Sequence, residues 1–129
     1  MELEEFVSGW NDDAAGVKSV FIEFKKMLES FENAKINFNA RPGITYSMRG
    51  EKTSQTERPL FVMVDVIDDD PANRWLSVCF FGDTITDPDE LGDFVPGGLL
   101  GGDGHCFDVD DATMQDYVAQ RIAEAYAAQ

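Results

Sequence analysis

His105 and Cys106 stand side by side after the run Pro96-Gly97-Gly98-Leu99-Leu100-Gly101-Gly102-Asp103-Gly104. An imidazole near a thiol is the material of nucleophilic catalysis, because a base can draw off the thiol proton. Two facts weigh against that use. Neighbours in a strand point to opposite faces, so His105 does not readily activate its own neighbour, and the surrounding acids raise a thiol pKa. Cys106, with His105, is therefore the candidate catalytic pair, and the competing reading is a small structural residue, as free Cys commonly is. Cys79, amid Leu76, Val78 and Phe80, reads as structural. Two cysteines do not make a disulfide framework, and both are expected as reduced thiols.

Metal ligation is the second possible chemistry. One histidine and two cysteines exclude a multi-His or four-Cys zinc site. Asp103, His105, Asp108 and Asp110 could instead offer a mainly oxygen set to a divalent cation or iron. The competing reading is solvated turns and helix caps, since neither this stretch nor Asp68-Asp69-Asp70 has the calcium-loop pattern. The glycine run matches neither phosphate-binding pattern, and no Lys or Arg occurs from Trp75 to Gln120. No other cofactor is implied. Leu99 and Leu100 either tuck onto the body of the protein or meet a partner.

Charge is the most informative feature of the composition. The 129 residues carry 10 Lys and Arg against 25 Asp and Glu, a net charge of −15. From Pro59 to Gln120, fourteen acids face Arg74 alone, a net of −13, whereas Lys35 to Arg58 holds five basic residues and two acids. Such a field repels nucleic acid and anionic membranes over a Debye length of ~8 Å and attracts cations or a basic protein surface. General solubility is the plainer explanation of the same acids. The longest apolar stretch, Leu60 to Val64, is far short of a membrane span, and the first residues lack the positive start of a signal peptide, so a cytoplasmic location is expected.

The elements that must position these residues follow from periodicity. Leu3, Phe6, Val7 and Trp10 share one helical face. Val17, Val20, Phe21, Phe24, Leu28 and Phe31 form a stripe that predicts a second helix over about 13–32, capped by Asp12 or Asp13. Alternation over 36–40 and 44–48 around Arg41-Pro42-Gly43 predicts a hairpin, and the polar segment 50–58 predicts a loop. Leu60 to Ile67 and Trp75 to Phe81 read as antiparallel strands, because the short link between them leaves no room for a crossover. Asp87-Pro88-Asp89 resembles a capped helical turn, the glycine run a flexible loop, and 105–109 a short fifth strand. Asp110 or Asp111 caps a last helix with Met114, Tyr117, Val118, Ile122 and Ala125 inside. The expectation is one α+β domain over 1–129, a two-layer sandwich of four to five antiparallel strands with N- and C-terminal helices.

Three places resemble the YdhG-like group of small bacterial domains, which includes frataxin-like iron chaperones. They are the helix Ala14 to Phe31 leading into a strand, Ile44-Thr45-Tyr46-Ser47-Met48, and Gly101-Gly102-Asp103-Gly104-His105-Cys106-Phe107-Asp108-Val109-Asp110. The resemblance implies an α+β sandwich without catalytic residues that handles metal or docks through an acidic face. The functional expectation is accordingly a non-enzymatic binding or accessory domain whose acidic surface, residues 65–116, meets a basic protein or a divalent or iron cation. The alternatives are a thiol enzyme using Cys106 and a small-molecule binder with a sheet-face pocket near Tyr46 or Trp75.

Overall fold

The computed structural model describes residues 1–11 and 15–129; the expected cap by Asp12 or Asp13 lies outside them. Two helices, α1 (Leu3–Gly9) and α2 (Val17–Ser30), precede six strands: β1 (Ala34–Arg41), β2 (Thr45–Lys52), β3 (Val62–Ile67), β4 (Trp75–Phe81), β5 (Asp93–Leu99) and β6 (Gly102–Val109). Helix α3 (Gln115–Ala127) follows. The strands form one antiparallel sheet in the order β1-β2-β3-β4-β6-β5. No helix of the described residues is long and apolar enough to cross a membrane.

The helices cover one face of the sheet. Val20, Phe21, Phe24 and Leu28 of α2 and Val118, Ile122 and Ala125 of α3 pack on Met48, Val62, Val64, Val66, Leu76, Val78, Phe80, Phe107 and Val109. These strand residues are every second position, as the two-residue period of a strand requires. Tyr46 belongs to this core too: it is 6% exposed and stacked on Phe6 at 4.1 Å. On the other face lies a smaller apolar cluster of Leu60, Met63, Phe81 and Leu99 with Cys79. On the same face Ser47, Asp65, Ser77 and Asp108 stand in register across β2, β3, β4 and β6, with Ile67 and Trp75 paired beside them.

Two local expectations change. The sheet has six strands rather than four or five, because the glycine run supplies most of β5. Leu99 tucks in at 1% exposed, while Leu100 stays 54% exposed. Leu100 and Gly101 both take positive φ, 50° and 88°, which makes the two-residue turn into β6. Residues 50–52 are strand rather than loop: Gly50 is buried, its carbonyl accepts from Phe61, and a Cβ there would meet Val62, Phe61 and Leu28 at 2.9–3.1 Å. The expected capped turn is present at 87–90, where the Glu90 amide donates to the Asp87 carbonyl at 3.0 Å and the Asp87 side chain accepts from the Leu91 and Gly92 amides; short 3-10 turns lie at Gly82–Thr84 and Ala112–Met114.

The register sets Cys79 opposite Cys106 with Cα atoms 4.1 Å apart, and the two are joined by a disulfide. They are not the reduced thiols expected. Strand pairing brings together residues 27 apart in sequence, which spacing alone does not reveal. Closing a loop of that size restrains the unfolded chain by roughly 3–4 kcal/mol on a chain-entropy basis. Melts with and without a phosphine reductant should differ by roughly 10 °C or more, the reduced form melting lower. Superimposable melts would show that the bond contributes nothing to stability.

Candidate functional site

The segment between β4 and β5, residues 82–92, is held by a carboxylate hub. Asp87 accepts from the Tyr117 hydroxyl at 2.5 Å, the Leu91 and Gly92 amides at 3.0 and 2.9 Å, and faces His105 Nε2 at 2.8 Å. Its side chain is 10% exposed. Burial alone would push the Asp87 carboxyl up, but the hydrogen bonds from Tyr117, His105, Gly92 and Leu91 outweigh it and hold the group far below the usual carboxylate range. Tyr117 also accepts from the Asp89 amide at 3.2 Å.

A second tie lies beside the first. The Thr86 hydroxyl donates to Glu124 at 2.7 Å, Glu124 pairs with Arg121 Nε at 2.5 Å, and the Arg121 guanidinium lies 4.5 Å from the Tyr117 ring centre. The Arg121–Glu124 approach is a charge contact without hydrogen-bond alignment, since Nε and Nη1 find no hydrogen-bond acceptor among the described residues. Together these contacts fix a strand-free segment to α3 and β6. The loop is built in advance of any encounter.

What the hub supports is an acidic surface. Asp89, Glu90, Asp93, Asp103, Asp108 and Asp110 are all exposed. Among the described residues no Lys, Arg or His lies within ion-pair distance of any of them. The nearby cations are already engaged: Arg74 with Asp68 at 2.7 Å and Arg58 with Asp83 at 2.6 Å. Asp93 sits opposite Cys106, one step diagonally from Asp108. Asp103 is fixed by the Gly97 amide at 3.0 Å. Among these acids, Leu91 and Phe94 are 48% and 61% exposed.

The strand order turns the uneven sequence charge into a spatial one. Lys35 and Arg41 on β1 and Arg49 on β2 occupy one side, and the unpaired acids the other. Five strand spacings separate β1 from β5, about 24 Å, or some three Debye lengths at physiological salt. The two ends therefore present separate fields.

The residues singled out by sequence do not form one centre. His105 shares a face with Phe107 and turns to Asp87, whereas Cys106 is on the opposite face in the disulfide. As a nucleophile Cys106 is thus corrected: no thiol is present to be activated. His105 and Asp87 have the imidazole–carboxylate arrangement of a catalytic dyad, yet among the described residues no hydroxyl or thiol bonds to His105. Asp103, His105, Asp108 and Asp110 are spread along and beyond an eight-residue strand and over both its faces. Among the described residues no three His, Cys, Asp or Glu side chains converge to hold a metal ion. Asp111 caps the start of the last helical segment by accepting from the Thr113 amide at 2.9 Å, as one of the two expected caps.

Sequence reasoning missed Asp87, Tyr117, Arg121 and Glu124. Their one visible signal was Asp87 before Pro88, which marked a turn. A 290 Å³ cleft lined by Glu57, Arg58, Asp83, Thr84, Ala128 and Gln129 is polar and away from the middle of the sheet face. No protein family, curated protein or solved structure matches the chain.

Asp87→Asn should destabilise the fold at neutral pH by about 2 kcal/mol, the scale of hydrogen bonds lost from a charged acceptor. Because the folded-state pKa is depressed, the wild-type contribution is complete above the ordinary Asp range and fades as pH falls below it. Urea melts of both proteins from pH 7 downward check this: the gap should close in acid, and a gap independent of pH would rule out the ionised hub.

Proposed function

We propose that this domain is a non-enzymatic binding module that presents its β4-β6-β5 end to a basic protein surface. One observation carries the reading: six exposed carboxylates, none within ion-pair distance of a cation among the described residues, lie over both faces of the same end of the sheet as exposed Phe94 and Leu91, on a loop and hairpin already fixed in place. An exposed aromatic anchor at a charged end is the composition of a protein contact, with the charge steering encounter and the anchor supplying affinity. The relationship to YdhG-like domains is part of the same proposal. Of the two roles it implies, docking has the better support, because the acids are spread out rather than convergent.

The disulfide bears on compartment as well. A persistent Cys79–Cys106 bond fits an oxidising environment better than the cytoplasm expected from the sequence.

The test is fluorescence anisotropy with a labelled Lys/Arg-rich peptide bearing one aromatic residue. Binding should weaken about tenfold between low and physiological salt, and Asp93, Asp103, Asp108 and Asp110 changed together to Asn should abolish that dependence. Phe94→Ala at constant salt should cost on the order of tenfold in Kd, the loss of one anchor. Salt-insensitive binding that neither variant alters would overturn the proposal.

A further inference from the structure

The sheet has two edges, and they differ in kind. β5 is blunted as an edge: it contains Pro96, Gly97 with φ 66°, and a register break between Val95 and Leu99. These are the devices that keep an edge strand from pairing with another chain. β1 has no Pro, Gly or register break, and its only such guards are the charges of Lys35 and Arg41 near its two ends. Its eight residues, Ala34–Arg41, are regular, free of Pro and Gly, and paired one-to-one with β2 along their length.

The Thr53 amide donates to the Asn33 carbonyl, so the backbone groups of odd-numbered residues here turn toward β2. The N–H and C=O groups of Ala34, Ile36, Phe38 and Ala40 consequently face outward. Among the described residues no helix, loop or side chain bonds to them. The side chains of the same four residues are only half-buried at the rim of the helix layer. An open hydrogen-bonding edge and an incompletely covered apolar row thus coincide.

We propose that β1 pairs antiparallel with β1 of a second copy of this chain, making a continuous twelve-stranded sheet about a two-fold axis at Asn37. Three observations select this occupant and register. Opposite residues must share a face, which limits the axis to a residue position. An axis at Phe38 sets Lys35 against the partner's Arg41, a like-charge pair, whereas an axis at Asn37 sets Lys35 against the partner's Asn39 and Ile36 against the partner's Phe38. Lastly, a net charge of −15 opposes self-association wherever acids meet, and pairing through β1 keeps the acidic ends roughly 50 Å apart. Pairing through β5 would press them together.

Sedimentation velocity should give the mass of two chains, persisting at high salt, since the contact is not made by opposite charges. Ile36→Lys, which places a charge at the apolar edge, should return the protein to a monomer with an unchanged far-UV spectrum. Asn37→Cys should form an intermolecular disulfide under mild oxidation, and Asn39→Cys, away from the axis, should not. A monomeric wild type, a dimer that survives Ile36→Lys, or crosslinking through position 39 in place of 37 would overturn the proposal. Should Ile36→Lys not fold, the contrast between the two cysteine variants decides the matter alone.

Discussion

Burial of one face of the sheet beneath three amphipathic helices is the interaction on which the rest of this structure depends. Apolar side chains at alternate positions of β2, β3, β4 and β6 meet the stripes of α2 and α3, and nearly all of them are fully buried. The same alternation sends every other side chain to the face without helices. That face must be stabilised by other means. It carries the small cluster around Phe81 and Leu99, the Cys79–Cys106 bond, and Arg58 laid 4.4 Å over the Phe81 ring.

Two carboxylates show how this asymmetry governs charge. Asp87 lies where a loop, a strand and a helix converge, and four donors reach it. Asp65 lies in the middle of the helix-free face, where burial raises its pKa, the Ser47 hydroxyl and the charges of Arg49 and Arg41 offset that only in part, and Oδ1 has no hydrogen-bond partner among the described residues. Equal in chemistry, they are shifted in opposite directions by the number of donors each position supplies. The Asp87 hub contributes order to the acidic end of the molecule. The unpaired acids beyond it contribute a field that the basic residues of β1 and β2 are too distant to cancel, while Arg58, Arg74 and Arg121 are engaged by Asp83, Asp68 and Glu124.

Much of the scaffold was legible in the sequence. The stripe Val17, Val20, Phe21, Phe24, Leu28 is the buried face of α2, Val118, Ile122 and Ala125 are that of α3, and the hairpin around Pro42-Gly43 is β1 and β2. Local periodicity determines these elements, so a local reading suffices. β5 was not legible, because Pro96, Gly97 and Gly98 erase alternation and only pairing with β6 makes the segment a strand. The disulfide and the Asp87 hub were hidden for a related reason: the partners are 27, 18 and 30 residues apart and meet only through strand register and helix docking. Clustering of acids between 65 and 116 was evident, but their division into paired ones, such as Asp68, Asp83 and Asp87, and unpaired ones is a property of the fold.

The central claim is that a preorganised acidic end, rather than the molecule as a whole, is the recognition surface. It is tested most directly by recording amide chemical shifts of ¹⁵N-labelled protein during titration with the Lys/Arg-rich peptide. The account predicts shifts concentrated at Asp89 to Val95 and Gly102 to Asp110, with β1 and β2 silent, and their disappearance at about 0.5 M salt, where screening is nearly complete at contact range. Shifts spread evenly over the exposed acids, or centred on another face of the molecule, would contradict it.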